Sequence, residues 1–215
     1  MTKNEEILVL TQWLSPAYPV GAFSYSHGLE TAISDGRIAN AQDLEVWLAS
    51  VVEHGSCWND LVLLVAAYRA KSGAERADIA ELALSLCPSK ERVAETQLQG
   101  AAFIRTTNAV WDCELPEMPY PVAIGVAASI QNIDVKTTAY IYAHSFISNL
   151  VSAAVRLVPL GQTDGQACLQ RVSARVSKAA DMAIDATLED LGGCTFASDI
   201  AAMAHETLAA RIFQS

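Results

Sequence analysis

Two short segments of the sequence carry side chains that could take part in catalysis. Ser26, His27 and Glu30 lie close together, and His205 is followed directly by Glu206. A hydroxyl, an imidazole and a carboxylate can serve as nucleophile, base and orienting acid when they converge in one pocket. Position 24 is serine, so Ser26 does not stand in the G-x-S-x-G turn of an esterase. A small helical hydrolase that uses Ser26, His27 and Glu30 is therefore one hypothesis, and it requires such a pocket.

The spacing of histidines and cysteines does not predict a metal site. Two ligands on one helix would stand three or four positions apart. His144 and His205 have only apolar or hydroxyl residues at those positions, and the five cysteines contain no C-x-x-C pair. Scattered cysteines of this kind are typical of reduced thiols in a cytosolic protein. No metal ligand and no cofactor is predicted.

Charge and motifs disfavour several other classes of function. The net charge is −10, with 24 acidic and 14 basic residues, which is the opposite of the balance that nucleic acid binding requires. The sequence has no P-loop for nucleotides. Its apolar runs are far shorter than the roughly 20 residues of a membrane helix. The first residues include Glu5 and Glu6, unlike a secretory leader, so a cytoplasmic protein is expected.

The segment that holds Ser26, His27 and Glu30 has an unusual composition. Residues Leu14–Glu30, called the elbow below, combine two prolines, a glycine at position 21 and several aromatic side chains. Proline fixes φ, and Gly21 permits a positive φ. A plain solvent loop would not carry so much aromatic surface. The elbow is therefore predicted to be ordered and to present a surface.

Apolar residues at spacings of three and four predict helices in most of the remaining chain. Asn40 and Asp134 are placed to cap two of them, and Gly125 suggests close packing inside a third. Prolines between Cys113 and Pro121 indicate a loop within one domain. The first predicted helix begins after Asn40. The others are predicted at Trp58–Val65, Glu75–Leu86, Glu91–Trp111, Val122–Ile130, Asp134–Leu157, Leu169–Ala186 and Ser198–Phe213.

These patterns predict an all-α fold, a single-domain helical bundle of roughly ten helices over residues 1–215. Gly192-Gly193 is expected to end the long apolar seam that begins at Leu169. No segment shows the alternation of a strand. The long helix after Asp134 carries a stripe of polar residues on one face: Ser145, Asn149, Ser152 and Arg156. The stripe either faces solvent, allows small residues to pack closely, or forms a self-complementary or partner-facing surface.

Four blocks of the sequence closely resemble the urease accessory protein family UreF. They are the elbow, Tyr120–Val126, Arg156–Gln166 and Asp199–Ser215, the last with its His-Glu pair and arginine. The blocks follow one another in the family's order and extend from residue 8 to residue 215. Together they are specific to this family.

The resemblance implies an all-α accessory protein without catalysis of its own. UreF-like proteins bind the accessory protein UreD, also called UreH, and through it apo-urease. They also recruit the GTPase UreG, and the assembly inserts nickel into the urease active site. The family protein commonly forms a homodimer within the complex, and it has been proposed to control GTP hydrolysis by UreG.

Carried onto this sequence, the resemblance implies three partner-binding surfaces. Glu206 and Arg211 are five positions apart, which is poor for an ion pair within one helix, so one or both are expected to meet another element or another chain. His27 is not expected to bind nickel, because an aromatic residue can replace it in the family. The candidate contact residues are Pro19, Gly21, Phe23, Ser26, Gly28 and Glu30 in the elbow, Arg156, Gln162 and Gln166 in the second surface, and His205, Glu206 and Arg211 in the third.

Overall fold

Every regular element in the part of the chain that the structure describes is helical. The structure is a computed structural model that describes residues 1–111 and 113–215. The α-helices are α1 (Lys3–Trp13), α2 (Leu29–Ser34), α3 (Ala41–His54), α4 (Ser56–Arg69), α5 (Gly73–Ser85), α6 (Lys90–Trp111), α7 (Tyr120–Ile130), α8 (Val135–Leu157), α9 (Gln162–Asp185) and α10 (Phe196–His205). Short 3₁₀ turns occupy Ala22–Ser24 and Leu188–Asp190. The prediction of an all-α bundle of roughly ten helices is confirmed.

Helices α4 and α7 form the centre of the bundle. All α7 residues from Pro121 to Ala128 are buried. A Cβ atom on Gly125 would lie 2.2 Å from the carbonyl oxygen of Leu64, so only glycine permits this approach of the two backbones. Helices α8 and α9 pack on each other and α9 also packs on α3, which closes the core around α4. Buried apolar residues from α1 to α10 belong to one contiguous cluster.

The predicted helix starts at Asn40 and Asp134 are confirmed. The Asn40 side chain accepts hydrogen bonds from the amides of Gln42 (2.9 Å) and Asp43 (3.1 Å). Asp134 accepts one from the Thr137 amide at 2.7 Å. These bonds satisfy amides that have no partner inside the helix.

The predicted boundaries of the last two helices are wrong, and α9 begins at Gln162, earlier than the predicted Leu169. Helix α9 ends at Asp185, well before Gly192, because the loop that follows packs on α4. There the indole of Trp58 donates to the Asp190 carbonyl at 3.0 Å, and Asn59 donates to the Gly193 carbonyl at 2.9 Å. Helix α10 begins after Thr195 and ends at His205.

Residues 206–215 therefore leave the helix and follow a separate path. This stretch, called segment 206–215 below, returns to the elbow and forms hydrogen bonds with it. Helix α2 packs against α10, so the elbow and the end of α10 meet on one side of the bundle. None of the described helices is both long and apolar enough to span a bilayer.

Candidate functional site

The elbow is shaped by three residues in the left-handed region of backbone conformation. They are Gly21 (φ 74°), His27 (φ 53°) and Gly28 (φ 77°). Gly28 also lies against α10, where an added Cβ would be 2.6 Å from the Ala202 amide nitrogen. Both the φ angle and this contact require glycine. The turn at Gly28 starts α2 and fixes where Ser26, His27 and Glu30 point.

His27 belongs to a buried cluster of charged residues from several helices. Its Nε2 donates to Glu95 Oε1 at 2.9 Å. Arg92 Nη1 contacts the other Glu95 oxygen at 2.6 Å, and Arg92 Nη2 lies 3.9 Å from Asp60. The Tyr142 hydroxyl donates to Asp60 at 2.8 Å. This group of five side chains is called the His27 cluster.

Three charged groups of the His27 cluster, Arg92, Glu95 and Asp60, compensate one another's burial. Burial alone would raise the pKa of Glu95, but Arg92 and then His27 outweigh it and lower that pKa to about 2. The pKa of Asp60 is raised, chiefly by burial, although Arg92 opposes the shift. Burial would lower the pKa of Arg92, yet Glu95 and Asp60 raise it. Arg92 is therefore a fixed positive charge between two carboxylates.

A cavity of about 40 Å³ adjoins the His27 cluster. It has room for one or a few water molecules rather than for an organic substrate. Its walls come from the elbow and from α4, α6, α7 and α8, and include Tyr25, Gln99 and Phe146. Ser145 and Asn149 of the polar stripe also line it, and Ser145 donates to the Leu14 carbonyl at 2.7 Å. That half of the stripe thus faces the elbow.

A second buried cluster is centred on His205, which is fully buried. His205 Nε2 lies 3.0 Å from Glu30, and Nδ1 lies 2.7 Å from Glu91. Arg211 Nη1 contacts the other oxygen of Glu91 at 2.7 Å. These four side chains are called the His205 cluster. It joins α2, α6, α10 and segment 206–215.

Segment 206–215 is bound to the elbow mainly through its backbone. The amides of Ile212 and Phe213 donate to the Glu30 carboxylate at 2.7 and 2.9 Å. Burial would raise the pKa of Glu30, but His205 and these two amides outweigh it and lower that pKa. The Gln214 amide donates to the Ser24 carbonyl at 2.8 Å. The Ser215 carbonyl accepts from the Ser26 amide at 2.8 Å and also from the Ser26 hydroxyl. The Ser215 hydroxyl donates to the Glu95 carboxylate at 3.1 Å.

The candidate contact residues divide into buried and exposed groups. Ser26, Gly28, Glu30 and His205 are buried, and segment 206–215 or α10 covers them in this structure. Gly21 and Glu206 are partly exposed; Glu206 accepts a hydrogen bond from the Lys90 amide at 2.9 Å, a contact with another element. The exposed members are Pro19, Phe23, Arg156, Gln162, Gln166 and Arg211.

Ser26, His27 and Glu30 do not form a catalytic arrangement. The Ser26 hydroxyl donates to the Ser215 carbonyl, and the His27 ring contacts Glu95. The Glu30 carboxylate accepts hydrogen bonds from His205 and from segment 206–215. Each side chain has a different partner. Among residues 1–111 and 113–215, no group of three or more His, Cys, Asp or Glu side chains is arranged to hold a metal ion.

Sequence reasoning missed the acidic and basic residues of α6. Arg92 and Glu95 lie on the buried face of that helix, in register with Gln99 and Phe103. Charged side chains spaced like core residues are a signal that could have identified them, because such groups are buried only with partners. Glu91, beside them, completes the His205 cluster.

Arg156 connects the second surface to this site. Its guanidinium lies 6.0 Å from the centre of the Phe213 ring, a cation–π contact. The elbow, Arg156 and segment 206–215 therefore meet around Phe213, although they are far apart in the sequence.

Comparison with known proteins places the chain among urease accessory proteins. The sequence profile of the UreF family matches residues 38–173. The urease accessory protein UreF of Ruegeria pomeroyi is 44% identical over 212 residues, covering 99% of this chain and 98% of the relative. The UreF proteins of Ruegeria sp. (strain TM1040) and Bradyrhizobium diazoefficiens are 48% and 45% identical, covering 99% and 96% of this chain and 99% and 90% of the relatives.

Proposed function

Because the chain belongs to the UreF family of urease accessory proteins, we propose that it is a scaffold for nickel insertion into urease. In this role it binds a UreD-type (UreH-type) accessory protein on apo-urease and recruits a UreG-type GTPase. It regulates the GTP-dependent delivery of nickel, which is the cargo of the complex. It acts in the cytoplasm as a homodimer within the assembly and has no catalytic activity of its own.

Similarity along nearly the whole chain is the observation that carries this proposal. Relatives named urease accessory protein UreF cover 96–99% of the sequence. The site geometry supports a binding role, since the buried hydroxyl, imidazole and carboxylate groups already have partners within the chain. Phe23, Arg156 and Arg211 remain exposed around segment 206–215 and are the side chains we assign to partner contacts.

Co-expression tests the assembly step. A tagged chain is produced with the UreD-type and UreG-type proteins of the same source, and the retained proteins are identified after affinity and size-exclusion chromatography. We expect a complex that contains all three proteins. Failure to retain either partner, with the chain itself folded, contradicts the bridging role.

A deletion strain tests the nickel step. We expect urease that is present at normal abundance but lacks nickel by elemental analysis, with recovery when the gene is restored on a plasmid. Normal nickel content and activity in the deletion strain would rule out the proposed function.

A further inference from the structure

His205 lies between two carboxylates without access to solvent. Its two ring nitrogens are 3.0 Å from Glu30 and 2.7 Å from Glu91. A carboxylate only accepts hydrogen bonds, and a neutral imidazole has one N–H and one lone pair. With both carboxylates ionised, both contacts are satisfied only when both nitrogens of His205 carry a proton.

The same two carboxylates hold segment 206–215. Glu30 accepts the backbone amides of Ile212 and Phe213, and Glu91 accepts the Arg211 guanidinium. The charged groups that face His205 are Glu30 from α2 and Glu91 from α6, with Arg211 beyond Glu91. With His205 charged, two positive and two negative groups balance. With His205 neutral, the buried cluster carries an excess negative charge.

We propose that His205 is a protonation-controlled latch, whose imidazolium form holds segment 206–215 over the elbow and whose deprotonation at rising pH releases it. Loss of one proton leaves a nitrogen lone pair against a buried carboxylate oxygen, which is unfavourable without a compensating donor. The lone pair repels the carboxylate that faces it. Because Glu30 and Glu91 are also the groups that bind the segment, turning either one away from the ring breaks an anchor of the segment. Residues 207, 209 and 210 of the connection are exposed, and the segment is anchored by a small set of hydrogen bonds.

Release changes which groups reach solvent. The backbone amide of Ser26 and the carboxylate of Glu30 lose their cover, and Phe213 leaves its place beside Arg156. The latch thereby controls access to the elbow. It belongs to the chain alone and operates whether or not the proposed partners bind.

Nuclear magnetic resonance of the isolated, full-length chain tests the latch. The ¹⁵N shifts of the His205 ring report its protonation, and the heteronuclear NOEs of the Ile212 and Phe213 amides report the order of the segment. Spectra are compared between about pH 5 and 8, the range in which histidines commonly titrate. We expect an imidazolium with an ordered segment at the lower pH, and joint loss of both as the pH rises.

Three variants separate the latch from a general loss of structure. In Glu91→Gln the new amide can donate to a neutral His205 while its oxygen still accepts from Arg211, so the segment stays ordered across the range. In His205→Gln the segment is less ordered, and its order no longer changes with pH. His144→Gln, at an exposed histidine, retains the wild-type pH response.

Three outcomes would overturn the latch. The first is an ordered segment with a neutral His205 ring in the wild-type chain. The second is an unchanged pH response in Glu91→Gln, and the third is a response that follows the His27 ring instead. Circular dichroism confirms that each variant is folded, and if His205→Gln fails to fold, the wild-type and Glu91→Gln spectra still decide the question.

Discussion

At the scale of single residues, Glu95 connects the His27 cluster to segment 206–215. Its carboxylate contacts His27 and Arg92 on one side and the hydroxyl of Ser215 on the other. Only 3% of its side chain is exposed, so its charge depends on these partners rather than on solvent. A buried charge that loses its partner is strongly destabilising, which makes Glu95 a sensitive point in the fold.

We expect acid to destabilise the protein through Glu95. Its folded-state pKa of about 2 lies below the ordinary value of 4.5, so its contribution is complete above pH 4.5 and is lost as the pH falls towards 2. Urea titrations at decreasing pH would show this as a falling free energy of unfolding.

A substitution isolates the same residue at neutral pH. Glu95→Gln leaves Arg92 undercompensated and should cost about 3–5 kcal/mol in the free energy of unfolding. The exposed carboxylate of Glu81 is the matched control, and Glu81→Gln should change stability by less than about 0.5 kcal/mol. Equal effects of the two substitutions would show that the charge pairing of Glu95 contributes no more to the free energy of unfolding than an exposed carboxylate does.

Arg156→Ala is expected to weaken partner capture more than it weakens the fold. Arg156 is exposed, and its contact with Phe213 is a cation–π contact worth about 0.5–1 kcal/mol at such a site. Retention of the accessory partners should fall severalfold while the melting temperature changes by a few degrees at most. Arg105→Ala, at another exposed arginine, should retain both properties. A parallel loss of binding and melting temperature would identify Arg156 as structural.

At the scale of helices, α7 and α4 approach each other so closely that only glycine fits at position 125. Gly125→Ala would place a methyl group against the Leu64 carbonyl, and we expect a loss of about 1–3 kcal/mol through overpacking. Gly73 stands at the start of α5 with open space around it, so Gly73→Ala should be neutral or stabilising by up to about 1 kcal/mol. Chemical denaturation of both variants distinguishes packing from helix propensity.

The packing of α8 and α9 should depend on their buried faces. Leu150 and Val172 are nearly fully buried, and Leu150→Ala or Val172→Ala should each cost about 1–4 kcal/mol. Leu98 is 59% exposed, so Leu98→Ala serves as the control and should cost much less. If all three variants unfold at the same denaturant concentration, the assigned faces are wrong.

At the scale of the whole molecule, the local rules predicted more of the fold than of the site. Asn40, Asp134 and Gly125 were interpreted correctly because caps and close helix packing depend on neighbours in sequence or on a single missing side chain. The end of α10 was placed too late, because Glu30 binds the amides of Ile212 and Phe213 from a distant element. The elbow was predicted as a contact surface, and this stays a prediction. The sequence did not show that Ser24, Ser26 and Glu30 of the elbow bind segment 206–215.

Ser26 and Ser215 are hydrogen-bonded although 189 positions separate them, so the site forms late during synthesis of the chain. At about 5–20 residues per second, the elbow leaves the ribosome roughly 10–40 seconds before segment 206–215 exists. During that interval Glu30 and Ser26 lack the groups that cover them. The contact between the elbow and segment 206–215 then closes a long loop of the chain, and such closure is slow. A chain that lacks residues 206–215 cannot complete this face, because the groups that bind Glu30 and Ser26 are missing. The site therefore forms only after segment 206–215 has been made.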